Sequence, residues 1–153
     1  MTVAAISPAE TEDADSVVDL WIDLAAGQRD HGSHIHAESN RTPIREAILR
    51  HIAGDRLLVA RSDGILGFVM FSVEQGSYEQ DLRRGLIENL YVRPDARGEG
   101  VGSALLSRAE SHLAERGVDA VSLDVLADNE RARRFYRAHG YDPHRVEFEK
   151  PVG

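Results

Sequence analysis

The sequence predicts an α/β fold, a mixed β-sheet with helices on both faces in a single domain, and three observations carry it. Leu86–Val92 is an apolar, β-prone run that feeds a turn holding Gly98, Gly100 and Gly102, after which the pattern becomes helical. A second strand-like run, Ala120–Leu126, follows that helix, and a strand–helix–strand crossover requires a parallel pair. Upstream, Arg56–Arg61 and Ile65–Val73 read as two strands joined by Ser62-Asp63-Gly64, a hairpin signal that makes this part antiparallel.

The elements follow in order. Thr2–Ile6 is β-prone and reads as the first strand. Ser7-Pro8-Ala9-Glu10 has capping-box form, with Thr11 a rival cap one turn later. Ala14, Val17, Val18, Trp21, Leu24 and Ala25 then make an apolar stripe that Gly27 is expected to end. Gln28–Arg41 is polar and irregular. Thr42-Pro43 restarts a helix, with Ile44, Ala47, Ile48 and Ile52 on its core face and Gly54 as its stop. Glu74–Gly85 is a charged loop before the central strand. Val101, Ala104, Leu105, Ala109 and Leu113 share one helical face. Asn129–His139 reads as a short helix packed through Ala132 and Phe135. In Tyr141–Glu149, Val146 and Phe148 alternate with charge, as in a last strand.

Composition narrows the function classes. The 153 residues are 42% hydrophobic and 29% charged, an ordinary globular balance for one domain with a sizeable core. No apolar run approaches the roughly 20 residues a membrane span needs, and no signal peptide is visible. There is no cysteine, which removes disulfides, thiolate metal sites and a cysteine nucleophile and suits a cytoplasmic enzyme. The net charge of −8 argues against nucleic acid or an anionic membrane as partner. Of the 18 basic residues only Lys150 is a lysine, against 26 acidic residues. Two readings stay open: codon bias from a GC-rich genome, or the acidic, lysine-poor surface of a halophile.

The glycine turn carries chemistry. The first turn of a helix presents backbone N–H groups without internal partners and the positive end of the helix dipole. Glycines let a bulky anion approach the main chain. Arg97-Gly98-Glu99-Gly100-Val101-Gly102-Ser103 therefore reads as a phosphate or pyrophosphate site, with Arg97 as a charged, forked donor. It is neither a Walker loop, which needs Gly-Lys-Ser/Thr, nor a Rossmann fingerprint, whose sixth position here is Ser103 or Leu105. His31, His34 and His36 lie within six residues. They fit either metal ligands or a solvated loop that touches substrate, and no metal is expected.

Arg97-x-x-Gly100-x-Gly102 resembles the pyrophosphate turn of the GNAT (Gcn5-related) N-acetyltransferase superfamily. Asn129-x-x-Ala132-x-x-Phe135-Tyr136-x-x-x-Gly140-Tyr141, which begins 27 residues after Gly102, resembles that family's second cofactor segment. The resemblance is strong over Leu86–Tyr141 and weak in the N-terminal third. It implies one GNAT acetyltransferase domain over residues 1–153, with a central sheet splayed at a bulge near the middle of Glu88–Val92. It implies acetyl-CoA as co-substrate, held by the backbone of Leu90, Tyr91 and Val92, by Arg97 to Ser103, and by Asn129, Ala132 and Tyr136. It places the Tyr136 hydroxyl near the thioester sulfur, where Tyr136 should protonate the departing CoA thiolate, and it implies a homodimer formed through late strands.

With no cysteine and no serine in an elbow motif, direct attack of a primary amine on the thioester in a ternary complex is the simpler route. That amine must lose a proton. Glu88 is the candidate base, directly or through water, because apolar neighbours on the central strand would raise its pKa; Asn89 beside it should point to the other face. Acceptor contacts are expected from the polar segments, at His31, His34, His36 and Glu38 and at Tyr78, Glu79 and Asp81. The acceptor classes left open are a small amine, an amino acid, an aminoglycoside-like drug and a protein amine. The rival reading is a catalytically silent CoA-binding sensor of the same fold.

Overall fold

The structure is a computed structural model that describes residues 4–153; Thr2 and Val3 of the expected first strand lie outside the described residues. Strands β1 (Ala5–Pro8), β2 (Leu57–Arg61), β3 (Ile65–Val73), β4 (Arg84–Val92) and β5 (Ala120–Ser122) form one sheet in the order β1-β2-β3-β4-β5. Neighbours are antiparallel except β4 and β5, which are parallel. Helices α1 (Ala14–Arg29) and α2 (Arg41–Ala53) cover one face; α3 (Val101–Glu115) and α4 (Glu130–Ala138) cover the other.

Strand alternation explains the two layers. Val59, Phe68 and Met70 pack with Val17, Val18, Leu20 and Ile48 of α1 and α2. Leu58, Val69 and Phe71 turn the opposite way, onto Leu105, Leu106, Ala109 and Leu113 of α3. The middle strands are therefore apolar at successive positions, because both faces are covered. Between β2 and β3, Asp63 and Gly64 take φ of 53° and 101°, the left-handed conformations that these two residue types tolerate in a tight turn.

The break in the sheet lies on β4. Pairing with β3 runs from Gly67↔Val92 to Met70↔Asn89 and then resumes at Phe71↔Ile87, so Glu88 is the extra residue of a β-bulge. The bulge cancels one step of alternation. Glu88 reaches His51 of α2, and Asn89 reaches the Met70 sulfur, which belongs to the same core layer. The two side chains therefore share the α1/α2 face, which corrects the expectation of opposite faces. β5 pairs with β4 only from Arg84↔Ala120 to Leu86↔Ser122. Beyond Leu86 the two strands part, and the main chain of Leu90–Val92 faces the opening.

Several expected boundaries move. Pro8 ends β1 instead of starting a helix. The capping box sits at Glu10 and Asp13, around a 3₁₀ turn at Thr11–Asp13 that leads into α1. Gly27 lies inside α1, which runs on to Arg29, because nothing crowds it and no left-handed residue interrupts the helix. α2 begins at Arg41 behind a 3₁₀ turn, with Pro43 in its first turn, where the missing N–H costs no hydrogen bond. The strand expected over Ala120–Leu126 stops at Ser122, since the bulge has carried β4 away. Tyr141–Glu149 forms no strand: among the described residues no neighbour pairs with it, and Val146 and Phe148 are 73% and 91% exposed.

Candidate active site

The bulge fixes the position of the acid group. Glu88 Oε2 lies 2.5 Å from Nε2 of His51, and Nδ1 of His51 lies 2.7 Å from the Ala47 carbonyl. A carbonyl only accepts, so Nδ1 carries a proton. His51 is buried, with a side chain 10% exposed, while Glu88 is 36% exposed. The hydrogen bond from His51 holds the Glu88 carboxyl below the usual range, overcoming burial, which acts the other way; Arg56 and the Ser72 hydroxyl add to the lowering. The expectation of a raised pKa from apolar neighbours is thus overturned by one partner that lies 37 residues away in sequence.

After β4, a 3₁₀ turn at Pro94–Ala96 leads into the glycine turn. Nε of Arg97 donates to the Val92 carbonyl at 2.8 Å, and the guanidinium lies 5.3 Å from the Tyr91 ring centroid. Arg97 is therefore braced against the end of β4 through its Nε. Gly98 and Gly100 take φ of 82° and 85°, and a Cβ on either would meet only open space. The left-handed backbone demands glycine there, and the space above it is free for a ligand. Gly102, in the first turn of α3, would place a Cβ 3.5 Å from Phe135, an ordinary contact. The N–H groups of residues 98–103 find no backbone acceptor among the described residues. Ser103 Oγ lies 2.9 Å from Nε2 of His139, whose Nδ1 donates to the Phe135 carbonyl at 2.8 Å.

α4 brings the second segment. Asn129 caps it, its Oδ1 accepting from the Ala132 N–H at 3.2 Å, so both residues serve the helix first. Tyr136 packs edge-on against Phe135 and Tyr141, with ring centroids 5.1 and 5.8 Å away. Burial pushes its phenol up to about 12, so it stays protonated at any working pH. Tyr141 instead donates to Glu110 at 2.6 Å.

The expected acceptor residues separate. His31 contacts Asp128 at 2.9 Å, and His34 contacts Glu149 at 2.9 Å, which ties the α1–α2 loop to the C-terminal half. Glu38 is held by Arg41, which also binds Asp19. Glu79 is exposed on the β3–β4 loop, and Tyr78 beside it is 87% exposed. Trp21, His34, Ile35, His36, Asn40 and Ile44 line a shallow cleft of about 450 Å³ on the α1/α2 face. Another hollow, about 540 Å³, lies at the β1 edge, far from the β4–β5 opening, where Arg61 already neutralises Asp13. Among the described residues no three His, Asp or Glu side chains group as metal ligands, and no helix is long and apolar enough to cross a membrane.

Sequence reasoning missed His51 and His139. A signal existed for the first: His51 follows Ile44, Ala47 and Ile48 on the apolar face of α2, where an imidazole needs a buried partner. His139 closes α4 as its C-terminal cap, and nothing in the sequence points to its contact with Ser103.

Comparison with known proteins bears on the family and the fold. The "Acetyltransferase (GNAT) family" model matches residues 16–141. An uncharacterized N-acetyltransferase of Archaeoglobus fulgidus is 30% identical over 134 residues, 86% of this chain and 88% of that protein. An acetyltransferase of Pectobacterium atrosepticum is 34% identical over 134 residues, 86% of this chain and 82% of its own length. Among solved structures, a GCN5-related N-acetyltransferase of Ralstonia eutropha superposes with a TM-score of 0.76 at 27% identity, covering 97% of this chain and 98% of that one. A PaiA N-acetyltransferase of Thermoplasma acidophilum, solved with coenzyme A, shares the fold with a TM-score of 0.77 at 19% identity over 95% and 94% of the two chains. The family model spans most of the chain, relatives at 30% identity or more cover over four-fifths of it, and this chain belongs to the GNAT acetyltransferase family.

Proposed function

We propose that the chain is an acetyl-CoA-dependent N-acetyltransferase that passes the acetyl group to a primary amine within a ternary complex. The observation that carries this reading is the row of N–H groups from Gly98 to Ser103 with no backbone acceptor among the described residues, beside the edge of Leu90–Val92 that β5 leaves uncovered. The turn and helix dipole receive the pyrophosphate, and Arg97 adds charge. The β4 N–H groups at the opening hydrogen-bond the pantetheine arm and polarise the thioester carbonyl. The coenzyme A seen in the Thermoplasma relative fits the same assignment.

Glu88 is the base in this scheme. Its carboxylate takes the proton that the ammonium must shed, directly or through water, and the neutral nitrogen attacks the thioester carbon. The C–S bond then breaks, and the sulfur leaves with the electron pair. Tyr136 donates a hydrogen bond to that sulfur. A thiol titrates near 8.5, so full transfer from a phenol at about 12 runs uphill by about 5 kcal/mol. Tyr136 therefore stabilises developing charge; the attacking nitrogen sheds its second proton as the amide forms, and that proton matches the one the thiolate takes up. The acceptor enters from the α1/α2 face past His34, His36, Glu38 and Glu79, and a cationic amine suits these groups.

One observation favours the rival reading of a silent CoA-binding domain: Glu88 is already engaged by His51 and is a weaker base for it. Release of free thiol from acetyl-CoA with a panel of amines separates the two. Amine-dependent release establishes transfer, and CoA binding without release establishes the sensor. For assembly we propose a homodimer in which Arg145–Glu149 finds its strand neighbour in a second copy, supported by the exposure of Val146 and Phe148. Sedimentation should give twice 16.9 kDa, and Phe148→Asp should return a monomer.

A further inference from the structure

Resting on the assignment of Glu88 as base, we propose that His51 is a positioning residue for the acetyl transfer: it holds one oxygen of Glu88 and turns the other toward the acceptor. The argument begins with protons. Nδ1 of His51 must donate to the Ala47 carbonyl. If the ring carried only that proton, the Nε2 lone pair would face a carboxylate lone pair at 2.5 Å, which is repulsive. The contact therefore contains a second proton, and Nε2 donates to Oε2.

Geometry makes the contact directional. His51 approaches from the buried side, anchored one helical turn back on α2, and it engages Oε2. His51 does not engage Oε1, and the side chain is 36% exposed, so this oxygen is the one an incoming amine or its water can meet. The bulge admits it: Asn89 pairs with Met70 and Ile87 with Phe71, so Glu88 is the additional residue and faces α2 beside Asn89. The other groups facing the carboxylate are Arg56, ahead of β2, and the Ser72 hydroxyl on β3. From α1 this core receives apolar Val17, Val18 and Leu20. No other imidazole or carboxylate appears among the groups acting on Glu88, so His51 is its main control.

The test compares wild type, His51→Ala and His51→Gln, with Glu88→Gln as reference. Two readouts are taken: the acidic limb of kcat/KM against pH, and the titration of the Glu88 side-chain carboxyl carbon followed by NMR. Removing the imidazole should raise the Glu88 titration and carry the acidic limb to higher pH by the same amount. His51→Gln keeps a donor without the charge and should fall between the other two. His51→Ala should lower kcat about 10–100-fold with KM for acetyl-CoA within about two-fold, since a hydrogen bond to a charged group is of that size. An unchanged Glu88 titration in His51→Ala overturns the proposal whatever the rates do. A titration that moves while the acidic limb stays put shows that another group is the base, and it removes His51 from the reaction. A Glu88→Gln enzyme that keeps the limb identifies that failure separately. Circular dichroism of His51→Gln establishes that the variants compared are folded.

Discussion

In the proposed reaction Tyr136 and Glu88 meet the same requirement, a proton in the right place, from opposite chemical positions. Burial keeps the Tyr136 phenol protonated, and a hydrogen bond keeps the Glu88 carboxyl ionised. Tyr136→Phe retains the ring packing against Phe135 and Tyr141 and loses only the hydroxyl. Its kcat should fall about 10–100-fold, as expected for one lost hydrogen bond to developing charge, and not by the 10²–10⁴-fold of full acid catalysis. Steady-state rates, with calorimetry to show unchanged acetyl-CoA affinity, check this. For Glu88 the sign follows from its lowered pKa. The base is active above that pKa and lost as pH falls through it, so the acidic limb should lie below the ordinary carboxylate range and vanish in Glu88→Gln. The residue itself was legible in the sequence, as a carboxylate in an apolar strand. Its pKa was not, because the deciding partner sits on another helix, and single-strand neighbours report desolvation alone.

At the scale of elements, the glycine turn was readable because its chemistry is local: backbone conformation, dipole and N–H groups all follow from Arg97–Ser103. The structure sharpens the experiment. Gly100→Val forces a β-branched residue into φ of 85° and should cost about 1–2 kcal/mol or more of stability, which confounds a loss of binding. Gly102→Ala fits the protein without a clash, so it should melt like the wild type. If the pyrophosphate lies on this turn, the same substitution should weaken acetyl-CoA binding about ten-fold by calorimetry; equal affinity would move the phosphate elsewhere. Asn129 poses the converse case. Asn129→Ala should lose a helix cap, about 1 kcal/mol in thermal unfolding, before any effect on cofactor. The late strands were the least legible elements. Val146 and Phe148 alternate as a strand should, but alternation states a preference, and a strand also needs a neighbour with free N–H and C=O groups.

For the molecule as a whole, charge sets the response to solvent. Asp13, nearly buried at the entry to α1, is held well below its usual range by the Arg61 guanidinium, with the Glu10 N–H at 2.8 Å also lowering it. A depressed carboxyl contributes stability that is present above its unfolded pKa of about 3.9 and is lost as pH falls through the folded value. Arg61→Gln should therefore cost about 1–3 kcal/mol at pH 7, and the gap to wild type should close on acidification toward pH 2, followed by urea unfolding. The net charge of −8 predicts a second response. Self-repulsion is screened as the Debye length shrinks from about 10 Å at 0.1 M salt to about 3 Å at 1 M, so the melting temperature should rise in molar KCl. Total charge is legible in any sequence, whereas the Asp13–Arg61 pair required the fold, since 48 residues separate its members.

The extra residue on β4 also makes the chain's tolerance of lost codons uneven. A strand usually survives a substitution better than a change of length, and here length itself encodes function. Deleting the codon for Glu88 would leave the sheet free to pair without interruption from Val73 to Gly67. Alternation would then be restored with both faces kept, because Asn89 already pairs with Met70 and Ile87 with Phe71. Ile87 would stay on the α3 core and Asn89 on the α1/α2 face, and His51 would lose its carboxylate. Substitutions at this point alter chemistry one group at a time, whereas a single-residue deletion removes the carboxylate and the bulge together and leaves both packed layers in place. Loss of this one codon should therefore spare the fold and silence the proposed base.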